Sequence, residues 1–125
     1  MVEARRVLVA DDNVDSAETL AMLLQALGNE VRTVNDGTQA VEESEQFRPH
    51  VVLLDIGMPG LDGYEVARLI RGRPWGAQVV LIALTGFGEE EDRRRSREAG
   101  FDHHLLKPVD IGPLRQALEA APPSA

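Results

Sequence analysis

A chain of 125 residues with 43% hydrophobic content suits one compact domain, long enough to bury a sizeable core and too short for two. Its 13 Lys and Arg stand against 21 Asp and Glu, a formal net charge of -8, which argues against direct nucleic-acid binding and against anionic membrane surfaces. The absence of cysteine excludes disulfides, thiolate zinc sites and thiol nucleophiles, and no apolar run reaches the length of a signal-peptide core or a membrane span, so a cytoplasmic protein is expected.

Arg6 to Ala10 is a short β-branched run that stops at Asp11-Asp12-Asn13, which reads as a buried strand displaying carboxylates at its end. Ala17, Leu20, Ala21, Leu24 and Leu27 then recur at helical spacing, with Asn13 or Asp15 to cap the start and Gly28 to end it. Glu30 to Val34 alternates with period two, as an edge or half-buried strand does, and Asn35-Asp36-Gly37 leads into a weaker helix through Ala40, Val41 and Phe47. Pro49 precedes His50-Val51-Val52-Leu53-Leu54-Asp55, an unbroken apolar run ending in a carboxylate. Gly57, Pro59 and Gly60 forbid regular structure directly after it, so Asp55 is displayed at the rim of the sheet. Gly63 to Arg71 carries Val66, Ala67 and Ile70 on one helical face, and in the breaker segment that follows Trp75 is assigned to packing.

Gln78 to Leu84 is the most apolar strand and ends in Thr85-Gly86-Phe87-Gly88. The helix expected over Glu89 to Ala99 has almost no apolar residues. Acids come first and Arg93, Arg94, Arg95 and Arg97 last, which complements the helix dipole, and Glu89, Glu90 and Glu91 each have an arginine four residues on. Ser96 and Ala99 are its expected inward contacts, so it should be loosely held and presented to solvent or to a partner. His103 to Leu106 is a short strand closed by Lys107-Pro108, and its adjacent histidines point to opposite faces, one packed and one at the surface, so they do not chelate a common ion. Ile111, Leu114 and Leu118 define a last helix with Asp110 as its cap. Residues 1–121 are therefore read as one domain and 122–125 as a tail or linker.

Five strands alternating with five helices demand right-handed crossovers and a parallel α/β sheet covered on both faces. In such a sheet the loops after the strands emerge on one edge, so Asp11, Asp12, Asp55, Thr85 and Lys107 converge there. Three carboxylates brought together are stable only beside positive charge. Hard oxygen donors without sulfur or imidazole point to Mg²⁺ or Mn²⁺, and Lys107 adds a fixed cation. A cation, a lysine and a hydroxyl around one carboxylate are also what phosphoryl transfer to that carboxylate requires, with Asp55 as nucleophile.

The pieces Val-Leu-Val-Ala-Asp11-Asp12-Asn, Leu-Leu-Asp55-Ile-Gly-Met-Pro59-Gly, Ala-Leu-Thr85-Gly86 and Leu-Lys107-Pro108, in this order at successive strand ends, resemble the receiver domain of two-component response regulators over essentially the whole chain. The resemblance implies a flavodoxin-like fold with strand order 2-1-3-4-5. It implies Mg²⁺ held by Asp12, Asp55 and the backbone carbonyl of Gly57 with Asp11 assisting, and phosphorylation of Asp55 by a histidine kinase or phosphotransfer protein. It further implies that Thr85 and Lys107 bind the phosphoryl oxygens, that Lys107-Pro108 is a cis peptide, and that the domain is a regulated phosphoacceptor rather than an enzyme. Two positions depart from the family pattern: His104 stands where an aromatic switch residue is common, and Gly57 places no side chain beside Asp55. Phe87, two after Thr85, is apolar and placed to shield an acyl phosphate from water.

Two other classes fit less well. A haloacid-dehalogenase-like phosphohydrolase also uses a strand-end Asp with Mg²⁺, but wants a second acid two residues on, where this chain has Gly57. A flavodoxin-like nucleotide or flavin module wants a glycine-rich first loop, and the loop after the first strand is acidic.

Overall fold

Each apolar run becomes a strand. In the computed structural model, which describes residues 5–86 and 90–119, β1 (Arg6–Ala10), β2 (Glu30–Val34), β3 (Val51–Asp55), β4 (Val80–Thr85) and β5 (His103–Leu106) pair in parallel as one sheet. Their order is β2-β1-β3-β4-β5. Helices α1 (Val14–Ala26), α2 (Gly37–Phe47), α3 (Gly63–Arg71), α4 (Glu90–Ala99) and α5 (Ile111–Glu119) alternate with them. Phe87, Glu89 and the tail from residue 120, with the roles given them above, lie outside the described residues, and the pairing of Glu90 and Glu91 with arginines lies there too.

Period-two alternation along the strands builds two cores. Leu8, Ala10, Val52, Leu54, Leu81 and Ala83 pack with Val41 and Phe47 of α2, Val66, Ala67 and Ile70 of α3, and Ala99 of α4. Val7, Val9, Val51, Leu53, Ile82 and Leu84 pack with Leu20 and Leu24 of α1 and Leu114 and Leu118 of α5. Strands β3 and β4 are buried from end to end, which is why they read as unbroken apolar runs, whereas β2 lies at the edge and is mostly exposed. Among the described residues no helix is long and apolar enough to cross a membrane.

Local chemistry sets the helix ends. Asn13, rather than Asp15, caps α1 by accepting the Ser16 N–H, Asp36 caps α2, and Asp62 with Glu65 forms a capping box at α3. Gly28 follows α1 at φ +94°, a conformation glycine adopts without the Cβ penalty.

Two expectations are corrected. The fourth strand begins at Val80 rather than Gln78, because the Arg71 guanidinium at the end of α3 takes the carbonyls of Gly76 at 2.9 Å and Val79 at 2.6 Å, holding that stretch out of the sheet ladder. The strand also runs one residue past Leu84, to Thr85, which is in register with Leu106. Arg71 also reaches the Gly100 carbonyl at 2.8 Å and Asp102 at 2.7 Å, stapling α3 to the approach to β5. Trp75 packs against the core as expected, with the Arg48 guanidinium 5.2 Å from its ring centroid.

Strands β1 and β3 are neighbours in space but are reached by crossovers on opposite sides, so the sheet's switch point lies between their carboxyl ends. Asp11 and Asp55 flank that point.

Candidate functional site

The two buried carboxylates are held in the same way. Asp11 follows β1 and Asp55 ends β3, and each folds its Oδ1 back onto the backbone two residues ahead: Asn13 N–H donates to Asp11 and Gly57 N–H donates to Asp55, both at 3.0 Å. The Asn35 side chain donates to the Asp11 carbonyl at 3.0 Å, and the Asp11 N–H donates to Val34 at 3.1 Å, fixing the β1 end against β2. The remaining oxygen of each carboxylate, Oδ2, faces Lys107, whose Nζ lies 3.1 Å from both. Lys107 itself is anchored by its N–H, which donates to the Thr85 carbonyl at 2.8 Å, and the Lys107–Pro108 peptide is cis.

Burial and these bonds set the charges. Burial pushes Asp11 above the ordinary carboxylate value, against the opposing pull of Asn13 and Lys107. Burial acts on Asp55 in the same direction, yet the Gly57 N–H, the neighbouring carboxyls and Lys107 outweigh it and hold Asp55 below its ordinary value. Burial works to lower Lys107, and its hydrogen bonds to Asp11 and Asp55 reverse this, so the ammonium is held above its ordinary value. Asp55 is thus an ionised carboxylate beside a permanent cation.

Asp12 stands exposed beside the pair, and carboxylate oxygens of Asp11, Asp12 and Asp55 lie within 4.8 Å of one another. This donor set is all oxygen and carries one more negative charge than the buried pair alone, so it suits a hard divalent cation and not a soft one. Gly57 offers its N–H to Asp55, and a Cβ built there would come no closer than 3.7 Å to Asp55 Oδ1, so its lack of a side chain leaves the Asp55 carboxylate uncovered on that side rather than relieving a clash.

On the next strand Thr85 is buried, and its Oγ1 lies 3.0 Å from Nε2 of His104 on β5. The other ring nitrogen, Nδ1, lies 3.3 Å from Oγ of Ser96, a buried residue of α4. One imidazole therefore joins the threonine at the site to the helix beyond it. His104 is the packed member of the histidine pair, and both are partly buried, so His103 is not a fully exposed surface residue. The role of Ser96 as a hydrogen-bond partner was not readable from sequence; its only signal was a small side chain on an otherwise charged helix. An open groove of about 510 Å³ runs from Asp11 and Lys107 along α1 past Ser16, Leu20 and Leu23.

Comparison with known proteins agrees with this geometry. The response regulator receiver domain profile matches residues 7–119. DNA-binding response regulator MtrA of Mycolicibacterium paratuberculosis is 35% identical over 83% of this chain, and the chain spans 45% of MtrA's length. Chemotaxis protein CheY4 of Vibrio cholerae superimposes with a TM-score of 0.89 at 25% identity, covering 95% of this chain and 99% of that one. The receiver domain of sensor histidine kinase PA1611 from Pseudomonas aeruginosa, solved with a magnesium ion in its active-site cleft, superimposes with a TM-score of 0.85 at 34% identity, covering 93% and 95%. The chain belongs to the response regulator receiver domain family and is a switch of two-component signalling.

Proposed function

We propose that Asp55 is the phosphoacceptor of this switch and that the donor is a phosphohistidine of a histidine kinase or phosphotransfer protein. An Asp55 oxygen attacks phosphorus, the P–N bond to the donor imidazole breaks, and the imidazole nitrogen keeps the electron pair and takes a proton. The observation that carries this reading is the single ammonium 3.1 Å from Oδ2 of both Asp11 and Asp55, with the Thr85 hydroxyl one strand away. Lys107 serves as a fixed counter-charge to the arriving phosphoryl oxygens, and Thr85 supplies a second hydrogen bond. The groove along α1 opens onto Asp11 and Lys107, the two neighbours of the Asp55 carboxylate, and gives a donor side chain its approach.

Asp12 and Asp55, with the Gly57 carbonyl and Asp11 alongside, would hold Mg²⁺ or Mn²⁺, which when bound neutralises charge on the phosphoryl oxygens. His104 reads the change: if Thr85 turns toward the phosphoryl group, its contact with Nε2 is lost and the link to Ser96 on α4 is re-set. Ester turnover finds no support, because position 57 offers a backbone N–H and no acid. The domain is a regulatory phosphoacceptor.

The test is intact-mass measurement after incubation with Mg²⁺ and acetyl phosphate. A single phosphoryl adduct, absent in Asp55→Asn and absent with chelator, is expected. No adduct, an adduct that survives Asp55→Asn, or sustained release of phosphate from esters overturns the proposal.

A further inference from the structure

The turn Asn35-Asp36-Gly37, which joins β2 to α2, touches both halves of the acidic site. On one side Nδ2 of Asn35 donates to the Asp11 carbonyl oxygen at 3.0 Å, which fixes the plane of the peptide leading into Asp12. On the other side Gly37, itself buried, lies against the loop after β3. A Cβ built at Gly37 would collide with the Leu61 carbonyl oxygen and come within 2.6 Å of the Leu61 Cβ, so α2 and that loop meet backbone to backbone. Gly37 is not among the glycines with positive φ, so close approach rather than chain conformation calls for glycine here.

Both partners of this contact are stiff. Within the turn, Asp36 Oδ1 accepts the Gln39 N–H at 2.8 Å and Gln39 Oε1 accepts the Asn35 N–H at 3.2 Å. Asp36 caps α2, so the Asn35 side chain is spent on the Asp11 loop and not on the helix. In the loop after β3, the Gly57 N–H donates to Asp55 Oδ1 at 3.0 Å, the Gly63 N–H closes the base by donating to the Ile56 carbonyl at 3.2 Å, Met58 is buried and Leu61 packs against the core. A push at Leu61 is therefore passed on to Gly57.

We propose that Asn35 and Gly37 are positioning residues for the divalent cation, the turn setting the gap between the segment that carries Asp11 and Asp12 and the segment that runs from Asp55 through Gly57 to Leu61. The proposal rests on the reading that Asp12, Asp55 and the Gly57 carbonyl hold the ion. Mg²⁺ demands near-octahedral geometry at about 2.0–2.1 Å, so a small change in that gap is felt at the ion while the sheet beneath stays paired. Groups that orient metal ligands without touching the metal carry about 10–100-fold of affinity.

The experiment is a calorimetric titration of Mg²⁺ into the whole chain without a phosphoryl donor, for the parent, Asn35→Leu, Gly37→Ala and the control Phe47→Leu, which loosens the far end of α2. Urea unfolding without metal ranks the stabilities. The Mg²⁺ dissociation constant is expected to rise about fivefold or more in Asn35→Leu and about tenfold or more in Gly37→Ala, and to stay within about twofold of the parent in Phe47→Leu despite its lower stability. In the parent, the amide resonances of Asn35 and Gly37 are expected to move along the same saturation curve as that of Gly57, since coupling between ion and turn is reciprocal. Parent-like affinity in the folded Asn35→Leu and Gly37→Ala variants, an equal loss in Phe47→Leu, or unmoved Asn35 and Gly37 amides overturns the proposal. Should Gly37→Ala not fold, Asn35→Leu and the amide shifts decide. A parent that binds no Mg²⁺ overturns the cation reading and this proposal together, whereas a parent that binds beside unaffected variants overturns this proposal alone.

Discussion

Replacing Lys107 by Met keeps the aliphatic stem and removes the ammonium, which leaves the carboxylates of Asp11 and Asp55 facing each other with no counter-charge. At 3.1 Å each ion pair is worth about 5 kcal/mol before solvation, taking an effective dielectric constant of about 20. Most of that is returned as desolvation. The Asp11 side chain is only 3% exposed and that of Asp55 12%, so breaking the pairs strands charge in the interior, whereas Lys107 is 31% exposed and pays less to be there. The net loss expected at pH 7 without metal is about 2–4 kcal/mol, near the lower part of the range for breaking buried pairs.

Two signatures separate this electrostatic loss from mere repacking. Asp11 is raised by burial, so in the folded variant it takes up a proton before the unfolded chain does. Stability gained by that uptake is present at low pH and lost as pH rises through its folded value, so the deficit shrinks as pH falls from 7 toward about 5. Mg²⁺ does the same at pH 7: at ten times its dissociation constant it adds about 1.4 kcal/mol, and a given concentration stabilises the variant more than the parent because the cluster has lost a competing cation. Urea unfolding at the two pH values, with and without Mg²⁺, is the assay. A deficit that is constant with pH and insensitive to Mg²⁺ refutes the reasoning and reduces Lys107 to a packing stem.

Three further outcomes are expected. His50 accepts the Arg6 N–H at Nδ1 over 2.9 Å, and burial followed by the charges of Arg6 and Arg5 pushes it below its ordinary value of 6.5. Stability therefore falls as pH drops below 6.5, by at most about 1.4 kcal/mol per pH unit, and that slope disappears in His50→Phe; an unchanged slope in urea titrations contradicts the assignment. A Cβ at Gly63 meets Ile56 Cα at 2.7 Å and the Asp55 carbonyl at 2.9 Å, so Gly63→Ala should cost about 1–3 kcal/mol and weaken Mg²⁺ binding by shifting the loop after β3, while wild-type stability and Mg²⁺ affinity would show that the loop yields freely. His104→Ala removes the link between Thr85 and Ser96. Amide hydrogen exchange in α4 should then lose its dependence on phosphorylation, and a dependence as large as in the parent would rule the link out.

The fold was legible because each strand ends on a polar residue at the sheet edge where the chain must leave the core. Val-Leu-Val-Ala before Asp11, Val-Val-Leu-Leu before Asp55 and Leu-Ile-Ala-Leu before Thr85 state both burial and polarity change within a few residues. Strand-end convergence then follows from parallel topology, and with it the juxtaposition of Asp11, Asp12, Asp55, Thr85 and Lys107. What stayed hidden depends on pairs far apart in the chain. Arg71 reads as an ordinary last-turn arginine, and only the packing of α3 beside β4 and β5 reveals that it holds the carbonyls of Val79 and Gly100 and so delays β4. Arg6 and His50 meet across 44 residues, and Ser96 finds His104 across a helix-to-strand turn. The start of β4 is hidden for the same reason, since apolar content marks burial and does not mark which carbonyls a distant guanidinium has taken, whereas Thr85 belongs to the strand through its pairing with Leu106, which its polarity does not signal.

Asp55, the carboxylate at the end of a buried run, is an ionised group held by Gly57 and Lys107 beside two further acids. The most direct test of its role is to locate the phosphoryl group. After acetyl phosphate and Mg²⁺, reduction of the acyl phosphate with borohydride and peptide mapping by mass spectrometry should place one modification per chain, on Asp55. Modification at Asp11, Asp12 or a histidine, with Asp55 untouched, would contradict the account.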